Sequence, residues 1–161
     1  MSFAFWAKAY TSSWNTFFDI GSTWGIDNIY FAFNQTHLAF ANFDNIDYTT
    51  FKSTISTTSL SPGTWNHYVV SLDESGNFAV YLNGNSTFVG KTMTPRTLVH
   101  DNTFIGRSIS NGFLNGAIKD FQFALGTVFT PLEAAYLYAN VCPRGSYSSL
   151  QHTYTHNFII N

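Results

Sequence analysis

Residues 65–84, WNHYVVSLDESGNFAVYLNG, hold two apolar runs with a polar turn between them. In the first run Val69 and Ser71 alternate with Val70 and Leu72, which is the period-two pattern of a strand that buries one face. The second run ends on Asn-Gly, a dipeptide that favours a tight hairpin turn. This stretch therefore predicts a β-hairpin, and its residue types indicate architecture rather than chemistry.

Short apolar segments of the same kind lie on both sides of the hairpin. In SFAFWAKA, residues 2–9, Phe3, Phe5 and Ala7 fall on one face of an extended strand. Further strand-like segments are NTFFDIGS (15–22), NIYFAFNQTHLAFAN (28–42), YTTFKSTI (48–55), STFVGKT (86–92), NTFIGRS (102–108) and GAIKDFQFALG (116–126). Short strands at regular spacing with turn signals between them predict a β-sandwich or a β-barrel.

The segment TPLEAAYLYAN, residues 130–140, has the pattern of a helix. Thr130 can act as the N-cap, Pro131 suits the first helical position and Glu133 completes a capping box. The residues expected to face the core are Leu132, Tyr136 and Leu137.

The composition points to one β-rich domain rather than to a nucleic-acid or membrane protein. The chain has 161 residues, of which 19% are aromatic and only 10% are charged, a balance common in secreted β proteins. With a net charge of −2 and no basic run, nucleic acid is not an expected partner. No apolar stretch is long enough to predict a membrane span. The lone Cys142 has no internal disulfide partner, so it either bonds outside the chain or stays a half-buried thiol.

Three segments, in this order, resemble the laminin-G-like and concanavalin-A-like jelly-roll family, close to its pentraxin branch. They are SFAFWAKA (2–9), PGTWNHYVVSLDESGNFAVYLNGN (62–85) and FIGRSISNGFLNGAIKDFQFALGTVFTPLEAAYLY (104–138). The resemblance implies an all-β fold, an antiparallel jelly-roll β-sandwich with one short C-terminal helix, over residues 1–140. Residues 141–161 are then a C-terminal tail, either a linker or an edge strand. In such a fold Trp65 is expected to be a buried anchor and Asn83-Gly84 to form the turn.

The sequence departs from this family at its first strand. Members usually carry another strand before the aromatic-x-Trp strand, which here begins at Ser2. The region Ser2 to Lys8 is therefore predicted to be a sheet edge that something else completes. The alternatives are the remainder of a longer protein, the tail segment HNFII (156–160), or another chain of an assembly.

Catalysis is not expected from the carboxylates. Glycoside hydrolases on this fold place two or three carboxylates two residues apart on one strand. Here Glu74 falls in a loop and Glu133 in the helix cap, while Asp44 and Asp47 are three residues apart. The five histidines show no metal-ligand spacing. The sequence thus predicts a chain that is not an enzyme.

A calcium site is the predicted cofactor site. In IDNIYFAF, residues 26–33, Asp27 and Asn28 match the Asp-Asn pair that precedes an aromatic strand in pentraxins, and the resemblance implies Ca²⁺ ligands there. The rest of the pentraxin site is not matched, because Arg107 stands where acidic and amide ligands are expected and would repel a cation. The alternative interpretation of Asp27 and Asn28 is an Asx turn.

Exposed aromatic side chains are the predicted ligand-binding residues. Trp14, Trp24 and Phe113 lie in loops rich in Ser, Asn and Gly, where stacking on a pyranose ring is one role and plugging the sandwich ends is another. Two glycosylation sequons begin at Asn34 and Asn85, both at predicted hairpin turns.

These features together predict a non-catalytic, lectin-like recognition or adhesion module of an extracellular or cell-surface protein. Its expected partner is a glycan or an extracellular protein. The alternative is a structural subunit of a cell-surface or filament assembly that binds other protein chains.

Overall fold

The computed structural model describes residues 1–11, 13–22, 27–34, 37–43, 50–56, 60–92, 101–110, 112–140 and 154–156, of which 34, 50–56 and 154–156 are described by backbone alone. The strands are β1 Ser2–Ala9, β2 Asn15–Gly21, β3 Ile29–Asn34, β4 His37–Phe43, β5 Thr50–Ser56, β6 Asn66–Leu72, β7 Asn77–Leu82, β8 Asn85–Lys91, β9 Asn102–Ile105, β10 Gly116–Ala124 and β11 Tyr154–His156. The helix is α1 Pro131–Ala139. None of the helices in the described part of the chain is both long and apolar enough to cross a bilayer.

The strands form two antiparallel sheets. One has six strands in the order β11-β10-β1-β6-β7-β8, and the other has five in the order β5-β4-β3-β2-β9. In the described residues, the two sheets and one short helix confirm the predicted all-β antiparallel sandwich.

Aromatic rings fill the space between the sheets. Phe3 on β1 stacks on Phe18 of β2 with ring centroids 4.3 Å apart, and Phe40 on β4 stacks on Phe78 of β7 at 4.7 Å. Phe5 is fully buried in the same cluster. The predicted alternation in β1 is therefore confirmed, because Phe3 and Phe5 enter the core and Ala4 packs on the opposite face of the sheet.

The prediction of an open edge at Ser2 to Lys8 is wrong, since β1 is a central strand. Phe3 pairs with Val70 of β6 on one side and with Phe123 of β10 on the other. The expected missing neighbour is supplied by β10, which lies far along the same chain. The segment Tyr154–His156 pairs with β10 rather than with β1, at the end of the six-stranded sheet.

The hairpin of β6 and β7 leads into a tight turn before β8, as predicted. Asn83 and Gly84 adopt positive φ values of 51° and 77°, and Leu82 pairs with Asn85 across them. The Asn83 Oδ1 atom accepts a hydrogen bond of 2.8 Å from the backbone N–H of His67. Trp65, in contrast, is half-buried rather than buried, because it lies on the outer face of the sheet under two lysine ammonium groups.

Two residues in β10 explain the Gly-x-Ile-x-Asp pattern of residues 116–120. A Cβ added to Gly116 would stand 2.0 Å from the Lys8 carbonyl oxygen, so only glycine allows β10 to approach β1 there. Asp120 has a φ of 52°, and the register between β1 and β10 shifts between Ala4 and Trp6 opposite it. Asp120 therefore occupies a bulge whose backbone conformation disfavours most side chains.

Helix α1 covers one part of the outer face of the six-stranded sheet. The predicted capping box is present, with the Thr130 side chain accepting from the Glu133 N–H and Glu133 accepting from the Thr130 N–H. Leu137 packs towards the sheet with the fully buried Ala134. The orientation predicted for Leu132 and Tyr136 is wrong, because they are 80% and 56% exposed; the small Ala134 makes the close contact instead.

Candidate binding site

The outer face of the five-stranded sheet is apolar and covered near its centre. Tyr30, Ala32, Ala41 and Phe43 form a cluster on this face, and each is at least nine-tenths buried. This part of the face is therefore no open platform for a ligand. In the described residues, the exposed aromatic side chains on this side lie at the rim of the face, next to the start of β2 and in the loop that follows β9.

Trp14 stands at this rim with 48% of its surface exposed. Its indole lies nearly parallel to the Tyr30 ring, at an interplanar angle of 10° and a centroid distance of 6.3 Å. The indole N–H donates a hydrogen bond to the Tyr30 hydroxyl, which lies 3.4 Å from Thr16 Oγ1. Burial raises the pKa of the Tyr30 phenol, so this support stays uncharged around neutral pH.

Phe113 is the second exposed aromatic side chain at the rim, with 60% of its surface exposed. The Arg107 guanidinium lies over its ring at 5.5 Å and over the Phe104 ring at 4.9 Å. The neighbouring Gly112 sits so close to β2 that a Cβ there would stand 3.1 Å from Thr16 Oγ1. Thr16 thus connects the loop that carries Phe113 to the ring that supports Trp14.

Asn15 fixes the chain on both sides of Trp14. This residue is fully buried, and its Oδ1 accepts a hydrogen bond of 2.9 Å from the Asn115 N–H. Its Nδ2 donates to the carbonyl oxygens of Ser13, at 2.6 Å, and Thr11, at 3.2 Å. Trp14 is consequently held on a segment whose backbone is tied to the loop after β9.

Asp19 ties the same loop to the centre of the sheet. It is fully buried; its Oδ1 accepts 2.9 Å from the Asn28 side-chain amide and its Oδ2 accepts 3.0 Å from the Ile109 N–H. Asp19 was not among the residues predicted from sequence, although a carboxylate inside the apolar run NTFFDIG is a signal for a buried polar contact. Both of its oxygens hold structure in place.

The predicted calcium ligands lie beside this contact. Asn28 is fully buried, and Asp27 is 8% exposed with a φ of 53°. The Asn28 side chain rests on Gly21, where an added Cβ would stand 2.6 Å from its Nδ2. Within the described ranges, no group of three His, Cys, Asp or Glu side chains is arranged to hold a metal ion. The calcium site at Asp27 and Asn28 stays a prediction.

Other predicted sites have less structural context. Trp24 and Cys142 lie outside the described residues. Asn34 ends β3, and its backbone pairs with His37. Asn85 is exposed at the start of β8, next to the Asn83-Gly84 turn. Both sequons stay predictions.

The arrangement at the rim can offer two exposed aromatic rings on a hydrogen-bonded support. Aromatic faces stack on the C–H face of a pyranose, and the exposed Ser110, whose hydroxyl lies 2.8 Å from that of the buried Ser108, adds a hydrogen-bonding group. We call the set Trp14, Tyr30, Arg107 and Phe113 the rim site.

A family model described as the concanavalin A-like lectin/glucanases superfamily matches residues 1–130. No curated protein sequence matches the chain. Among solved structures, the CBM40 of Ruminococcus gnavus IT-sialidase bound to α2,3 sialyllactose is similar, with a TM-score of 0.65 and 10% identity over 85% of this chain and 81% of that one.

Toxin domains have the same fold. The botulinum neurotoxin serotype G binding domain matches with a TM-score of 0.62 and 14% identity, over 86% of this chain and 35% of that one. The receptor binding domain of botulinum neurotoxin mosaic serotype C/D matches with a TM-score of 0.64 and 14% identity, over 87% of this chain and 36% of that one. At these identities the likeness establishes a shared sandwich fold.

Proposed function

The chain belongs to the concanavalin A-like lectin/glucanases superfamily, and we propose that it is a non-catalytic, lectin-like recognition or adhesion module that binds a glycan through the rim site. The observation that carries the proposal is the exposure of Trp14 and Phe113, at 48% and 60%, on supports that hydrogen bonds and ring contacts hold in place.

An indole and a phenyl ring in water gain free energy when an apolar surface covers them, and a sugar ring provides such a surface. Trp14 is already stacked on Tyr30, so little further side-chain freedom is lost when a ligand arrives. The likeness to a carbohydrate-binding module bound to sialyllactose supports a saccharide as the ligand class.

A binding role rather than a catalytic one is supported by how the carboxylates are used. Both oxygens of Asp19 accept hydrogen bonds from the protein, and Glu133 caps α1. The Thr130 backbone N–H lowers the pKa of Glu133, which favours a permanent carboxylate rather than a proton donor. An extracellular setting is supported by the low charge content of 10% and by the exposed sequon residue Asn85.

The alternative of a structural subunit has lost one of its supports. The predicted open edge at Ser2 to Lys8 is β1, which is paired on both sides. A recognition module therefore remains the better account of this sandwich.

The test is a glycan array with purified protein, with and without calcium, followed by titration of the best ligand. Trp14→Ala and Phe113→Ala should each weaken binding at least tenfold. The matched control is Tyr136→Ala, because Tyr136 is 56% exposed but lies on α1 against the other sheet. An array without any bound glycan, or equal losses in all three variants, would contradict the rim site. A calcium requirement that Asp27→Ala abolishes would support the predicted cation site.

A further inference from the structure

A second aromatic surface lies on the opposite sheet, beside the region that α1 covers. Trp6 and Lys8 project from β1, Lys119 projects from β10 beside Trp6, and Trp65 immediately precedes β6. We call Trp6, Lys8, Trp65 and Lys119 the lysine–tryptophan patch. It belongs to the outer face of the six-stranded sheet, whereas the rim site belongs to the five-stranded sheet.

Two ammonium groups converge on one indole ring in this patch. The Lys8 Nζ and the Lys119 Nζ each lie 5.0 Å from the Trp65 ring centroid, so the distance between them is at most twice that value. The Lys119 Nζ also lies 5.5 Å from the Trp6 ring, and the Lys8 Nζ lies 5.2 Å from the ring of Tyr10. The rings hold both charges at one place on the sheet.

No carboxylate of the described chain balances these charges. Among the described residues, neither the Lys8 nor the Lys119 side chain makes an ion pair or a hydrogen bond. Two like charges this close repel each other, and an aromatic ring satisfies only part of an ammonium group that has three N–H donors. The patch is thus an electrostatically incomplete arrangement in a protein whose net charge is −2.

We propose that the lysine–tryptophan patch binds an acidic saccharide. The two ammonium groups pair with a carboxylate or sulfate group, and the exposed edges of the surrounding aromatic rings contact the sugar. Carboxylate and sulfate groups both present anionic oxygen atoms, so the structure assigns a negatively charged group to the ligand. The experiment distinguishes a carboxylate from a sulfate.

The aromatic surroundings favour a saccharide over a small free anion. Tyr10 is 54% exposed on one side of the patch, and Tyr138 is 40% exposed on the other, where it stacks on Trp6 at 5.7 Å. A free anion would use the lysines alone and leave these rings uncovered. A sugar that carries the charge covers the rings as well, so both parts of the surface contribute.

The proposal goes beyond the rim site and does not depend on it. The two surfaces are on different sheets, and their residues are not shared. The test therefore uses three ligands, 3′-sialyllactose, 3′-sulfated lactose and unmodified lactose, which have the same neutral disaccharide and differ in the acidic group. Binding is measured by calorimetry, and the indole N–H signals of Trp6 and Trp65 are followed by NMR.

We expect at least one acidic ligand to bind at least tenfold more tightly than lactose, to shift the Trp65 indole signal and to weaken as salt is added. The double variant Lys8→Met with Lys119→Met keeps the aliphatic stems on the rings and should remove this preference. The double arginine variant keeps both charges and should retain it. Lys91→Met, on the exposed edge strand β8, is the control that should not change it.

Several results would overturn the proposal. One is equal binding of the acidic ligands and lactose. Another is an acid preference that survives in the double methionine variant while its melting temperature matches that of the parent protein. A third is an acid preference that Trp14→Ala abolishes, since the acidic ligand then sits at the rim site and the proposed function stands without the patch. Conversely, if an acidic ligand binds at the patch and no glycan binds at the rim site, this inference is sustained and the rim site is refuted.

Discussion

Gly116 and Lys8 meet so closely that a β-carbon on Gly116 would stand 2.0 Å from the Lys8 carbonyl oxygen. The contact lies at the end of the β1–β10 ladder, where Ala9 pairs with Gly116. We expect Gly116→Ala to lower the free energy of unfolding by about 1–3 kcal/mol, because backbone must move to admit the methyl group.

Chemical denaturation measures this change. The control is Gly126→Asn, at a site with a φ of 71° and no atom within 4 Å of an added Cβ, where asparagine tolerates the backbone conformation. An unchanged denaturation midpoint for Gly116→Ala would show that β10 can move away from β1 without a loss of stability.

Asp120 lies at the bulge of β10. The stability cost of replacing it should depend on whether the new residue tolerates its backbone conformation. Its φ of 52° is accessible to glycine and to asparagine but disfavoured for a β-branched residue. We expect Asp120→Val to cost about 1–2 kcal/mol more than Asp120→Gly. Thermal melts of the two variants compare them directly, and equal melting temperatures would contradict the role of the bulge.

His67 makes the stability depend on pH. It is 4% exposed against Trp6, and burial lowers its pKa from 6.5 to about 4. The unfolded chain binds this proton first as pH falls, so the stabilisation is complete above pH 6.5 and is lost between there and about pH 4. A full loss is on the order of 3 kcal/mol.

The measurement is the unfolding free energy at several pH values between 4 and 7. His67→Phe keeps a ring in the cluster and cannot titrate, so its stability should fall less over this interval. A parallel decline in both proteins would assign the pH dependence to other groups.

Asp19 should affect both stability and binding. Its removal takes away one acceptor of the Asn28 amide and the acceptor of the Ile109 N–H, which costs about 1–3 kcal/mol for a buried group. Asp19→Ala should also loosen the loop that carries Phe113 and weaken glycan binding. Glu74→Gln, in an exposed turn, is the control. If Asp19→Ala changes neither stability nor glycan affinity, the loop that carries Phe113 does not depend on this contact.

Local pattern predicted the faces of the strands but not their neighbours. The alternation of Phe3 and Phe5 correctly places them in the core, because side-chain direction has a period of two. The same pattern says nothing of which strand lies alongside. Ser2 to Lys8 was predicted as an edge because the strand that usually precedes it in the family is absent, although β10 pairs with it. Pairing depends on the whole chain, which a window of sequence does not contain.

The candidate site was predictable to a similar degree. Aromatic residues in polar loops correctly indicated exposure for Trp14 and Phe113. The buried contacts of Asn15 and Asp19 were missed, because a polar residue in a strand has the same pattern whether it faces water or a buried N–H group. Trp65 and Lys119 were not connected, since they are distant in sequence and meet only through the sheet.

The central position of β1 also affects the rate at which the protein folds. Phe3 must find Val70 and Phe123, so the middle of the six-stranded sheet joins segments that are far apart along the chain. Such non-local pairing slows folding, to about milliseconds to seconds in sandwiches of this kind. During synthesis one edge of β1 stays unpaired until β10 has left the ribosome. The interval before that closure is when a chaperone would hold this chain and when self-association would compete with folding.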